Sequence, residues 1–328
     1  MRLGGLPKVG YPWQTWRSVR GSCNTKVAVI IRSRGERARR ESLQRAVRSA
    51  LAQSGVCVEC IVVFNGTSYD TSAIEWAKEQ QCTRCVVMHR ADKPGATLLG
   101  RSLVSAEFFC YLDDDDELLP GALERRVAIM RKGNFDCVAT NGYFVEGEVT
   151  RRAFSPMRSL RESGYVRSLL ASRNWLASCG GLFRTATVLP KYFNNLPPHR
   201  EWTVIAFRIA STLKVHFEDI ATFRINSTRD SQSKKDSYID AGIHVLDEFS
   251  RWTSDAQHLE LIRRRKTAAY RAMCSYYRLR SNFRNAWRAY WNAIRCDGGW
   301  TYIPYGVLLL LRRDEPWADL AKKVRWPL

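Results

Sequence analysis

The run Leu112-Asp-Asp-Asp-Asp-Glu117 sets four consecutive aspartates directly behind an apolar segment. Packing gives no reason for such a run, because adjacent carboxylates repel one another. Hard divalent cations take carboxylate oxygens and share coordination with substrate phosphates, so the pattern suits a metal site that receives a phosphorylated ligand. A blander role stands beside it: carboxylates favour the positive end of a helix, and Pro120 marks a helix start just beyond. The chemical role is preferred because of context. Phe108-Phe-Cys-Tyr-Leu112 has the continuous apolar character of a strand buried on both faces, so the acids stand at a strand end.

Similar segments precede it. Val27-Ala-Val-Ile-Ile31, Cys60-Ile-Val-Val-Phe64 and Cys85-Val-Val-Met88 read as short buried strands. Between them, apolar residues at helical spacing predict helices over about 41–52, 71–80 and 97–106. Strands and helices in alternation predict an α/β fold, a mainly parallel sheet with flanking helices. In open sheets of this kind, ligands bind beyond the carboxyl ends of the strands. The residues there are Arg32-Ser-Arg34, Asn65-Gly66 and Asp113 to Asp116, all polar and one set strongly acidic.

With 328 residues, 45% of them hydrophobic, the chain can bury a substantial core, and its length suits one large domain with an appendage. Disordered and low-complexity classes are excluded. Lysines and arginines number 52 against 32 aspartates and glutamates, a net charge of +20, which implies an anionic partner: nucleic acid, a phosphorylated small molecule or a membrane surface. The first residues lack the apolar core of a secretory signal, and Val307 to Leu311 falls far short of the roughly 20 residues that span a bilayer. Ten scattered cysteines then favour reduced thiols. The expectation is a cytoplasmic protein, with peripheral attachment to the inner face of the membrane as an option.

From about Lys26 to Ser233 the chain resembles the inverting family 2 glycosyltransferases, which have the nucleotide-sugar-binding GT-A fold. The resemblance rests on Val27-Ala-Val-Ile-Ile-Arg-Ser-Arg34 with Ser42 to Gln53, on Val62-Val-Phe-Asn-Gly-Thr67, and above all on Glu107-Phe-Phe-Cys-Tyr-Leu-Asp-Asp-Asp-Asp-Glu-Leu-Leu-Pro-Gly-Ala-Leu-Glu124. With it, the absence of periodicity over 1–25 and the helical spacing after about Asp236 divide the chain into an irregular leader over 1–25, a GT-A domain over 26–235 and a basic, aromatic-rich helical region over 236–328. The resemblance implies transfer of a sugar from a nucleotide-sugar donor, expected to be a UDP-sugar, to a hydroxyl of a saccharide or lipid-linked glycan. A bound Mn²⁺ or Mg²⁺ would neutralise the departing diphosphate.

Carried over by position, Asp115 would ligate the metal, with Asp113 and Asp114 toward ribose and metal-bound water and Asp113 shared with the metal. Asn65 falls where the family recognises the base, and its amide oxygen could accept from uracil N3–H; an ordinary Asn-Gly turn is the alternative. Arg32 sits near the nucleoside. An inverting transfer needs a general base, which the family draws from a Glu-Asp pair on a helix after the sheet. In the matching segment, His199 to Ala210, Glu201 is the only carboxylate, and Trp202 follows where an acid is usual. Glu201 is therefore the expected base, Trp202 an acceptor-side residue, and Asp92 and His199 weaker substitutes. Arg184, in the segment Ser178 to Arg184, is expected on the acceptor side. Phe64, Leu98 and Asn226 depart from the family pattern, Asn226 standing where a metal-binding His sometimes occurs. Arg229 to Ser233 resembles a loop that closes over the diphosphate, or is simply unstructured.

Two further signals compete. Cys57-x-x-Cys60 and Cys82-x-x-Cys85 have the spacing of two zinc half-sites. Buried free thiols are preferred, since residues three apart in extended chain face opposite ways. From Ala241 onward, 16 basic residues stand among many aromatics at helical spacing. This surface suits anionic lipid as well as it suits a plain solvated face, and no nucleic-acid module accompanies it. If Glu-Trp in place of Glu-Asp abolishes catalysis, a binding or scaffold protein of a glycan assembly complex is the alternative function, and a nucleic-acid binder ranks below both.

Overall fold

The structure is a computed structural model in which residues 25–154, 164–171, 174–197, 199–227 and 237–310 are described. The leader before Thr25 and the Arg229 to Ser233 loop lie outside the described residues.

The chain opens with β1 (Lys26–Ser33), α1 (Arg40–Leu51), β2 (Cys57–Asn65), α2 (Thr71–Glu79), β3 (Thr83–Met88), α3 (Lys93–Ser102) and β4 (Phe108–Asp113). These four strands pair in parallel in the order β3-β2-β1-β4. β1, β2 and β4 are almost wholly buried and apolar, as expected for strands covered on both faces, while β3, at the sheet edge, is only half-buried. The chain moves outward from β1 to β3 and then returns to β1's other side with β4. The strand order thus reverses between β1 and β4, where open α/β sheets form their ligand crevice above the carboxyl ends.

The sheet continues through β5 (Glu117–Leu118), α4 (Ala122–Gly133), β6 (Cys137–Glu146), β7 (Val149–Arg152), α5 (Tyr165–Leu170), β8 (Gly181–Arg184), α6 (Glu201–Ala210) and β9 (Val215–Asn226). β8 is antiparallel to both β4 and β6, β9 runs parallel to β6, and β5 pairs antiparallel with β9. The sheet is therefore mixed, with its parallel half at the amino-terminal end.

α3 begins four residues before the apolar spacing predicts. The Asp92 carboxylate accepts from the Gly95 N–H at 2.8 Å and Pro94 sits in the first turn, so the helix is nucleated by its cap. α3 also lies unusually close to the sheet: a Cβ on Gly100 would stand 2.4 Å from Ile30 Cγ2.

Two cores flank the sheet. α1 and α4 contribute Leu43, Val47, Leu123 and Met130 to one face. The other face is covered by α3, α5 and α6, and its core extends into α7 (Ser237–Trp252), α8 (Ala256–Leu279) and α9 (Phe283–Arg295). Phe207 of α6 stacks on Phe249 of α7 at 3.9 Å between ring centroids. Beside them Arg208 donates to Glu248 at 2.8 Å, with both side chains largely buried. A short helix, α10 (Tyr305–Leu310), closes the described chain. No described helix is long and apolar enough to cross a membrane.

Candidate active site

Strand alternation places the site. Side chains at i and i+2 share a face, so Arg32 follows Ala28 and Ile30, Asp113 follows Phe109 and Tyr111, and Asn65 follows Ile61 and Val63. All three come to the carboxyl edge on the face covered by α3 and α6. Arg32 and Asp113 are register partners across the strand reversal.

Arg32 is the hub. Its guanidinium donates to Asp113 Oδ1 in a short charge-assisted bond and to Thr97 Oγ1 of α3 at 2.8 Å. It lies 5.7 Å from the ring centre of Tyr111 and 5.6 Å from that of Trp202, while its Nε is buried without a partner among the described residues. Burial alone would make this cation easier to deprotonate, but Asp113 and then Glu201 hold it above its ordinary range. Asp113 accepts a second bond, from Ser178 Oγ at 2.9 Å. Although burial opposes ionisation, Arg32, Lys93 and these hydrogen bonds hold the Asp113 carboxyl well below the usual carboxylate range. It is a fixed anion.

The next acids behave differently. Asp114 turns to the other face, where Ser33 Oγ donates to it at 2.6 Å and Arg39 at 2.5 Å. Arg39 also reaches Asp115 at 3.2 Å. Burial, with Asp113 and Asp114 beside it, pushes Asp115 up to about 6. Burial raises Asp114 too, and carries Asp116 well above its ordinary value, reinforced by Asp113 and Asp115. Raised values in a row of carboxylates mark an excess of negative potential that a further cation would relieve.

Asn226 closes the acidic loop from β9: its side-chain amide donates to the Asp115 carbonyl at 2.7 Å, and its backbone N–H to Asp116 Oδ1 at 3.1 Å. Asn226 therefore shapes the loop through a carbonyl and a neighbouring carboxylate.

Glu201 is the first residue of α6 and is 5% exposed. Among the described residues no hydrogen bond is made to its carboxylate, while its charge is felt by Arg32. The two residues before it, His199 and Arg200, both have left-handed backbone, at φ 64° and 55°. Such conformations cost non-glycine residues roughly 1–3 kcal/mol each and gather at functional sites. Trp202 packs edge-on to Tyr111 at 5.0 Å, with Arg32 over its ring.

Arg184 is not part of this arrangement. It pairs with Phe108, the first residue of β4, whereas Asp113 is the last. The strand between spans about 17 Å. Arg184 instead donates to the Phe135 carbonyl at 3.1 Å and covers the Phe108 ring, at the opposite edge of the sheet. Antiparallel pairing reverses position along the strand, which fixes it there. Asp92 is the cap of α3 and pairs with exposed Arg90 at 2.9 Å. Among the described residues no group of three or more His, Cys, Asp or Glu is arranged to hold a metal, the four zinc-spaced cysteines included.

Thr97, Ser178 and Arg39 are site residues that sequence reasoning passed over. Thr97 had a signal: it stands next to Leu98, where the family pattern asks for a polar residue.

Comparison with known proteins agrees with this architecture. The model of glycosyl transferase family 2 matches residues 28–186. The succinoglycan biosynthesis protein ExoO of Rhizobium meliloti (strain 1021) is 31% identical over 123 residues, which cover 34% of this chain and 35% of that protein. The match thus spans about a third of that relative's length. S. aureus TarS 1–349 in complex with UDP superimposes with a TM-score of 0.54 at 14% identity, over 73% of this chain and 70% of that one. The same fragment with UDP-GlcNAc gives 0.55 at 13% identity over the same shares. The fold is thus that of the GT-A glycosyltransferases. Residues 28–186 form a family 2 glycosyltransferase domain.

Proposed function

We propose that the chain is an inverting glycosyltransferase, moving a sugar from a UDP-sugar to a hydroxyl of a saccharide or lipid-linked glycan. The observation that carries this reading is the constellation at the strand reversal: an ionised Asp113 on Arg32, the electronegative Asp114–Asp115 step beside it, and Glu201 within electrostatic reach of the same guanidinium. The UDP and UDP-GlcNAc complexes of the TarS fragment support a uridine donor. ExoO's part in succinoglycan biosynthesis supports a saccharide acceptor.

In this reading Asn65 receives the base and Asp113 faces the ribose, while Asp114, turned to the other face, holds Arg39 beside Asp115. Hard carboxylate oxygens and the raised Asp115 suit Mn²⁺ or Mg²⁺, so Asp115, with Asp113, would hold the cation. When bound, the ion supplies charge neutralisation to the departing diphosphate. Glu201 takes the proton of the acceptor hydroxyl. The hydroxyl oxygen then bonds to the anomeric carbon from the face opposite the diphosphate, the bond from that carbon to the diphosphate oxygen breaks, and UDP leaves with the electron pair. Among the described residues no donor bonds to Glu201, which leaves its lone pairs available for this proton.

A panel of nucleotide-sugars with saccharide and glycolipid acceptors, with and without Mn²⁺, tests the reading through release of nucleoside diphosphate. Turnover of one uridine donor, dependent on metal and acceptor, is expected. Nucleotide binding without turnover of any acceptor would instead favour a binding protein that keeps the fold, as a lone Glu201 followed by Trp202 allows.

A further inference from the structure

The carboxyl-terminal helices carry a surface that the transfer reaction does not use. On α9 the exposed residues are Arg284, Arg288, Trp291 and Arg295, spaced by four, three and four, so they form one stripe. The opposite side of α9, with Ala286, Ala289, Tyr290 and Ala293, is buried. The next segment exposes a second stripe. Ile303, Val307 and Leu310 are again spaced by four and three and are 55%, 56% and 71% exposed, with Trp300 at 71% just before them. The two stripes meet at Tyr290: its hydroxyl donates to the Ile303 carbonyl at 2.9 Å, and its ring lies 5.4 Å from that of Trp291.

The charge on this surface has one sign. From Arg280 to Leu310 the sequence has four arginines and a single acid, Asp297, which pairs with Arg263 of α8 at 3.2 Å. Among the described residues, Arg284, Arg288 and Arg295 form no ion pair. A recess of about 600 Å³ lined by Asn282, Arg284, Asn285 and Arg288 opens beside them.

We propose that this surface docks the protein on an anionic lipid bilayer, with Trp291, Trp300, Ile303, Val307 and Leu310 entering the interface and the three arginines set against lipid phosphates. Charge complementarity selects this occupant. Arginines snorkel to headgroups while neighbouring apolar residues enter the acyl boundary, and tryptophan prefers that depth. A second copy of the chain in a two-fold contact would bring like charges together. A nucleic acid would match the arginines but leave the aliphatic stripe without a partner. The inference is independent of the donor, since it concerns residues outside the family 2 domain.

Sedimentation of the full chain with vesicles tests it. Vesicles of equal parts phosphatidylglycerol and phosphatidylcholine are compared with phosphatidylcholine alone, at low and high salt. Binding to the anionic vesicles is expected, weakened by salt. Each cation near an anionic leaflet contributes about 1 kcal/mol, so the R284E/R288E/R295E variant should partition at least a hundredfold less well. The I303S/V307S/L310S variant should also lose binding, with an unchanged melting temperature, because these side chains are exposed. Equal binding of the wild type to both vesicle types, or binding unchanged in both variants, would overturn the proposal. So would failure to bind vesicles, whether the aliphatic variant then turns a dimer into a monomer or the wild type binds RNA with a steep salt dependence. Donor turnover measured without vesicles reads the proposed reaction separately.

Discussion

Arg32 joins the two chemical halves of the site, one guanidinium holding Asp113 while it feels Glu201. Replacement by methionine keeps much of the packing against Tyr111 and Trp202 but removes the charge that depresses Asp113. Binding of UDP to R32M, measured by calorimetry, should weaken at least tenfold and more strongly toward acidic pH, as Asp113 regains an ordinary titration. Asp116 supplies a sign-resolved test of the acidic loop. Its carboxyl is raised by burial, then by Asp113 and Asp115, so the folded state prefers it protonated. Stability is therefore lost as pH rises from the ordinary carboxylate range through the raised value. Asp116→Asn keeps an acceptor for the Asn226 N–H and removes this ionisation. Its metal-free melting temperature should exceed that of the wild type at pH 8, with the difference vanishing toward pH 4.

At the scale of elements, the site depends on how closely two helices approach the sheet. α3 brings Thr97 to Arg32 because Gly100 lets it lie against Ile30, and α6 offers Glu201 because two left-handed residues turn the chain into its first turn. Gly100→Ala should push α3 outward by a few tenths of an ångström or more. The expected result is weaker donor binding together with a stability loss of about 1–3 kcal/mol, measured by denaturant unfolding. The parallel strands could be read from sequence because short, continuous apolar runs between amphipathic helices suit a strand covered on both faces. The acids at their ends could be read because nothing in packing asks for them. Thr97, Ser178 and Arg39 could not, since a threonine, serine or arginine in a helix or turn becomes a site residue only through a neighbour 65 to 75 positions away. Arg184 was misplaced for the converse reason: a local motif does not reveal which end of its strand faces the crevice, and the antiparallel register decides it.

For the molecule as a whole, the carboxyl-terminal helices extend the core that covers the site. Phe249 of α7 is 1% exposed and stacks on Phe207, one helix away from Glu201. Phe249→Ala should cost about 3–5 kcal/mol, measured by denaturant unfolding, and should lower transfer by loosening α6. If the helices were an independent appendage, unfolding would separate into two transitions and transfer would be untouched. The central claim is that nucleotide binding resides in Asp113 to Asp115 and proton removal in Glu201. The measurement that tests it most directly is calorimetric titration of UDP with Mn²⁺ into the wild type, Asp115→Ala and Glu201→Gln, alongside their transfer rates. The wild type should bind only with the metal, and Asp115→Ala should bind at least tenfold more weakly. Glu201→Gln should bind like the wild type while losing roughly 10²–10⁴-fold in kcat. Wild-type protein that binds no nucleotide, or a Glu201→Gln variant with full transfer activity, would contradict the account.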